Sequence, residues 1–160
     1  MHTVTLVRTT ALGVVFALVG IQSAAQATDP VLGTWELNVA KSTYSPGPSP
    51  KGESRTYVMA GQEIKATSKG VDSTGKPTAG AWTVNYDGKD RPTTGSPDSD
   101  TLSLKRIDPF TTEFTSKRAG KVVITGTRTI ARDGKLMTIT TKGTNAKGQA
   151  INIVEVFEKR

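Results

Sequence analysis

Beyond residue 27 the chain alternates apolar and polar residues in short runs, and nearly every run ends in turn chemistry. Successive side chains on a strand point to opposite faces, so a period of two is the signature of a half-buried strand. No stretch sustains the 3.6-residue period of an amphipathic helix. The pattern predicts strands at 33–38, 53–60, 63–71, 78–86, 101–107, 112–117, 121–131, 136–144 and 150–158, with a short extra strand near 90–93. Regular short strands separated by turns specify an antiparallel sandwich or barrel.

The turns have specific mechanisms. Asp87-Gly88 and Asp133-Gly134 read as two-residue hairpin turns, because these residue pairs tolerate positive φ. Asp72-Ser73-Thr74-Gly75 and Asn145-Ala146-Lys147-Gly148 place Asx first and Gly fourth, as a type I turn prefers. Ser45-Pro46-Gly47-Pro48-Ser49-Pro50 lacks the N–H donors of a ladder and reads as a stiff extended connection. Residues 92–100, with Pro97-Asp98, form a second loop.

Register follows from these turns. A tight turn at Asp133-Gly134 sets Ile130 against Met137, Arg128 against Ile139 and Gly126 against Thr141, with a threonine ladder on the other face. For the preceding hairpin, a three-residue loop Arg118-Ala119-Gly120 pairs Phe114 with Ile124 and Ser116 with Val122, keeping apolar residues together. Leu104 then lies beside Phe114, and Arg106 beside Thr112. The expected inner face holds Leu102, Leu104, Phe114, Val122, Ile124, Ile130, Met137 and Ile139, together with Arg106 and Arg128. Two arginines on an otherwise apolar face are the most informative feature of the chain.

The N-terminus has the order of a cleaved export signal: Arg8, an apolar run over 11–21, then the small-residue site Ala25-Gln26-Ala27. The run is about half the ~20 residues that a membrane-spanning helix needs. Cleavage after Ala27 is expected to leave one domain over 28–160, periplasmic or secreted, with no membrane span. No cysteine follows the apolar run, so no lipid anchor is expected there. Removal of 1–27 takes away Arg8 and leaves +6 of the formal +7 charge. The basic residues are scattered and form no basic-aromatic cluster, which argues against nucleic acid as a partner. A monomer is expected.

Gly33-Thr34-Trp35, on the first strand, matches the G-x-W that opens the first strand of lipocalins. The stretch from Gly33 to Ser42 and Pro46-Gly47-Pro48 also resemble small exported bacterial proteins of lipocalin-like type. The resemblance implies an all-β, antiparallel up-and-down β-barrel, a calyx of about eight to ten strands around a cavity. It implies that Trp35 closes one end against an arginine from a late strand, Arg106 or Arg128. In the fatty-acid-binding branch of that superfamily, inward arginines hold a ligand carboxylate. The chain departs from lipocalins in having no cysteine, no Thr-Asp-Tyr motif and no clear helix after the barrel.

Three functional readings follow. In the first, Arg106 and Arg128 bind an anionic group bidentately, while Trp35, Tyr57, Trp82, Phe114 and Met137 line an apolar pocket for a small hydrophobic or amphipathic ligand. Against it stands a filled barrel in which one arginine stacks on Trp35 and the other lies at the rim. In the second, the protein is an enzyme. The only histidine is His2 and there is no cysteine, which removes cysteine nucleophiles, Ser-His-Asp triads and histidine-rich metal sites from the exported part. The carboxylates Asp87, Asp90, Asp98, Asp100, Glu155 and Glu158 remain, most of them in turns, and no catalytic residue, cofactor or metal is expected. In the third, a filled barrel serves as a structural or interaction module of the cell envelope.

Overall fold

The computed structural model describes residues 28–160; the expected export signal lies outside them. The strands are β1 (Gly33–Leu37), β2 (Thr43–Ser45), β3 (Gly52–Ala60), β4 (Glu63–Val71), β5 (Pro77–Val84) and β6 (Arg91–Thr94). They continue with β7 (Thr101–Arg106), β8 (Thr111–Arg118), β9 (Lys121–Ile130), β10 (Leu136–Thr144) and β11 (Ala150–Lys159). One short 3₁₀ turn, Val39–Lys41, separates β1 from β2.

All neighbours pair antiparallel, in the order β1-β3-β4-β5-β6-β7-β8-β9-β10-β11, and β1 pairs again with β11, so ten strands close into a barrel. Closure abolishes the exposed edge of an open sheet. The closing ladder is short: Trp35 faces Lys159 and Leu37 faces Phe157. Above it, the outer edge of β11 is taken by β2, with Tyr44 opposite Ile153. No ladder joins β2 to β3, so one seam of the wall lacks backbone pairing over its upper part.

The β9–β10 register agrees with the sequence-based expectation, Ile130 facing Met137 and Arg128 facing Ile139. Leu104 faces Phe114 and Arg106 faces Thr112, also as expected. The Asn145 and Asp72 turns close as type I turns, Gly148 and Gly75 donating to Asn145 and Asp72 carbonyls at 3.0 and 3.1 Å.

The β8–β9 hairpin differs. Its turn has two residues, Ala119 and Gly120, with φ of 49° and 76°, and Arg118 faces Lys121. A bulge then shifts the register, so Phe114 faces Gly126 and Ser116 faces Ile124. A bulge places an extra residue in one strand and reverses the face of whatever lies beyond it. Val122 therefore turns outward and is 57% exposed, whereas Ile124 stays inside. The bulge satisfies both demands, a tight turn that matches strand twist and an apolar inner face, without the three-residue loop. Asp87-Gly88 sits at the centre of the β5–β6 hairpin, but the connection is wider than a two-residue turn: it runs over 85–90, and Asp87 bridges to Lys105, so the chain touches β7 before β6 begins. At Asp133-Gly134 only Gly134 is left-handed, and its N–H closes a turn to the Ala131 carbonyl at 2.8 Å; the strand register is unaffected.

The core fills one end of the barrel. Val31, Trp35, Met137 and Phe157 are completely buried there, with Ile64, Val84, Leu104 and Ile130 close to it. Residues 29–32 cross this end as a plug.

Candidate functional site: a barrel cavity above a plugged floor

The floor is organised by Asp29. Its carboxylate accepts the Val31 N–H at 3.0 Å and the Tyr86 hydroxyl at 2.8 Å, and pairs with Arg106. Burial pushes the Asp29 carboxyl up, but these donors outweigh it and hold it below the usual carboxylate value. Arg106 also stacks on the Tyr86 ring, 3.7 Å from its centroid. The Trp35 indole N–H donates to the Val31 carbonyl at 2.7 Å, which satisfies its one polar atom.

Neither Arg106 nor Arg128 stacks on Trp35, contrary to the resemblance-based expectation. They stand on β7 and β9, whereas the neighbours of β1 are β3 and β11. The cations flanking Trp35 are accordingly Arg55, its cross-strand partner, and Lys159, whose Nζ lies 5.0 Å from the indole centroid.

Arg55, Glu53, Glu155 and Tyr44 close the seam that backbone pairing leaves open. Arg55 donates to Glu53 at 2.5 Å and to Glu155 at 3.1 Å, and stacks 4.5 Å over Phe157. Tyr44 donates to the other oxygen of Glu155 at 3.3 Å. Burial pushes the Tyr44 hydroxyl up, and the Glu155 charge adds to the shift. Burial acts against the Arg55 charge, yet Glu155 and Glu53 overcome it and hold the guanidinium more firmly protonated than usual. The sequence pattern marks Glu155 only as a candidate catalytic carboxylate and does not single out Arg55. The signal was available: Glu53, Arg55 and Tyr57 share one face of β3, so an inward Tyr57 requires an inward Arg55.

Above the floor is a cavity. Its inner part, about 100 Å³, is lined by Arg55, Tyr57, Trp82, Phe114, Arg128 and Ile139 among others. A wider part, about 260 Å³, shares Arg55, Trp82, Phe114 and Ile139 and rises to the mouth, where Ser68, Thr93, Ser96, Ser99 and Thr141 line it. Tyr57 and Trp82 meet edge to face with centroids 6.2 Å apart. Phe114 is pinned over Gly126, where a β-carbon would fall 2.4 Å from the ring.

Arg128 is 6% exposed and forms no ion pair among the described residues. One nitrogen, Nη2, donates to the Tyr86 hydroxyl at 3.0 Å and to Thr112 at 3.4 Å, and the guanidinium carbon lies 5.5 Å from the Tyr57 centroid. Its Nε and Nη1 have no hydrogen-bond partner among the described residues.

Of the residues singled out from sequence, Tyr57, Trp82, Phe114 and Arg128 thus converge on the cavity, while Trp35, Met137 and Arg106 belong to the floor. Asp98 and Asp100 accept backbone N–H groups at the mouth. Asp87, Asp90 and Glu158 pair with Arg91, Lys117 and Lys41 on the outside. Among the described residues no three His, Cys, Asp or Glu side chains cluster as metal ligands would, and no helix is long and apolar enough to cross a membrane.

Fold and site define an all-β protein: a closed ten-stranded antiparallel barrel, plugged at one end and hollow towards the other. No protein-family model matches the chain, and no curated protein matches it. The fold is similar to that of Rv2717c from M. tuberculosis, with a TM-score of 0.53 and 13% identity over 82% of this chain and 93% of that one. Looser superpositions relate it to the zebrafish ileal bile acid-binding protein in complex with cholic acid, TM-score 0.46, covering 82% of this chain and 99% of that one at 13% identity. The redesigned β-barrel mFAP1 bound to DFHBI superposes with TM-score 0.45 at 13% identity, covering 81% and 95%. At 13% identity the likeness to Rv2717c is one of fold.

Proposed function

We propose that this chain is an exported, non-enzymatic barrel that holds one small apolar or amphipathic molecule in its cavity, an acidic group of the ligand meeting Arg128. The supporting observation is the buried Arg128 guanidinium, without a carboxylate partner, at the base of an aromatic and aliphatic space. Cavities that bind small molecules are mostly apolar with a few placed polar groups, and run from about 300 to 1,000 Å³. The wider part of this one, about 260 Å³, falls just below that range, which favours a compact ligand over a long lipid chain. Export rests on the signal-like order of residues 1–27.

A titration tests the reading. In a Trp35→Phe background Trp82 is the only tryptophan, and its quenching reports on the cavity. The fluorescent acid 2-naphthoate should bind more tightly than 2-naphthalenemethanol, its neutral counterpart. Arg128→Met should weaken the acid about tenfold or more, since a hydrogen bond to a charged group contributes about 1.5–3 kcal/mol, and leave the alcohol little changed. Ser116→Leu, which fills the space, should abolish both. Absence of binding by either probe, together with no copurifying small molecule in native mass spectrometry, favours the filled envelope module. N-terminal sequencing of the exported protein should begin at Thr28; a mature chain that retains residues 1–27 contradicts export by cleavage.

A further inference from the structure

We propose that residues 95–100, the connection from β6 to β7, are a lid over the cavity mouth, latched by Asp98. The inference rests on the ligand-binding reading for its purpose, but its geometry is independent of it.

The connection joins two adjacent strands, which a short turn could do, yet it reaches across the barrel. Asp98 Oδ1 accepts the N–H of Ala146 at 2.6 Å, and Ala146 lies in the turn between β10 and β11. In the ring of ten, that turn stands four strands round from the β6–β7 connection. Midway, Arg118 donates to the carbonyls of Asp98 and Pro97 at 2.5 and 3.3 Å. Ser96 and Ser99 from the same segment line the cavity together with Trp82 and Phe114 beneath. The segment therefore forms the roof of the space that Arg128 closes from below.

The two ends of the segment are held differently. At Asp100 the attachment is continuous with the sheet: Asp100 N–H donates to the Lys117 carbonyl at 2.9 Å, Thr93 N–H to the Asp100 carbonyl at 3.0 Å, and Ala119 N–H to the Asp100 carboxylate at 2.8 Å. At Gly95 the chain turns with φ of 84°, close enough to β5 that a β-carbon would lie 2.0 Å from the Ala79 carbonyl oxygen. Only glycine has room there, and it tolerates this backbone angle. Between these fixed points the roof is held by the Asp98 and Arg118 side chains, which are 29% and 35% exposed. Bonds of this kind, open to water and screened by salt, contribute little, so the latch releases far more readily than any strand. Among the described residues no polar contact ties the Ser96 or Ser99 hydroxyl to the wall beneath; they bond within the segment.

Three outcomes separate the lid from the ligand reading. In the Trp35→Phe background, Asp98→Ala and Arg118→Met should each raise the acrylamide quenching constant of Trp82 at least twofold, with far-UV circular dichroism unchanged. Asp133→Ala, at a turn of the opposite end, should leave it unchanged. Both latch variants should also speed 2-naphthoate association and release several-fold in stopped flow. Raised quenching without naphthoate binding to any variant keeps the lid and removes the ligand reading. Naphthoate binding with quenching unchanged in both latch variants keeps the ligand reading and overturns the lid. Independently of any substitution, the Ala146 amide of the native protein should exchange with solvent much faster than the amides of β10; equal protection overturns the lid as well.

Discussion

Arg55 on β3 reaches Glu155 on β11 at 3.1 Å, across the upper part of the seam, where no backbone ladder joins β2 to β3. The charged pair, with Glu53 and Tyr44 beside it, stands where no backbone ladder joins β2 to β3. A network of this kind is worth little against an apolar replacement but costs heavily when broken on one side.

Arg55→Met should therefore destabilise the protein by about 3 kcal/mol, because two inward carboxylates lose their shared cation. Adding Glu53→Gln and Glu155→Gln should restore much of that loss. Urea unfolding followed by circular dichroism measures the cycle; equal stabilities for the single and triple variants contradict a coupled network.

Asp29 predicts an acid response. Its folded-state carboxyl lies below the unfolded value, so its contribution to stability is present above that value of 3.8 and is lost as pH falls through the lower, folded one. Asp29→Asn should be less stable at neutral pH by about 1–3 kcal/mol. The gap to wild type should close as pH falls below about 4. A gap that is constant from pH 7 to pH 2 means the carboxylate is not the source.

Gly126→Ala should cost about 1–3 kcal/mol by overpacking, or more. The added carbon would lie 2.1 Å from the Thr140 carbonyl oxygen and 2.4 Å from Phe114. The Phe114 ring must leave its seat, so 2-naphthoate binding should weaken in parallel. Substituting Phe114→Leu in the same variant should recover part of the stability but not the binding. Thermal denaturation and the Trp82 titration read the two effects separately.

How much was legible in the sequence can be seen residue by residue. The β9–β10 pairing follows from an alternating pattern on both sides of one turn, and its register is reproduced. The β8–β9 bulge was not legible, because the two-residue turn and the apolar pattern demand registers one residue apart and only an extra residue in the strand reconciles them. Alternation puts Arg106 on the inner face, but its Asp29 partner lies 77 residues away in a segment without strand signals. The same alternation puts Arg128 on the inner face, and Arg128 lines the cavity.

The sequence by itself determined what is local: alternation with period two, the residues that permit each turn, and hence which side chains share a face of each hairpin. The tertiary structure decided which faces meet. The Arg55–Glu155 bond joins residues 100 apart, and the Asp98–Ala146 bond joins residues 48 apart. Such contacts depend on how many strands close the ring and on where the seam falls. Those are properties of all the strands at once, carried by no single stretch of the chain.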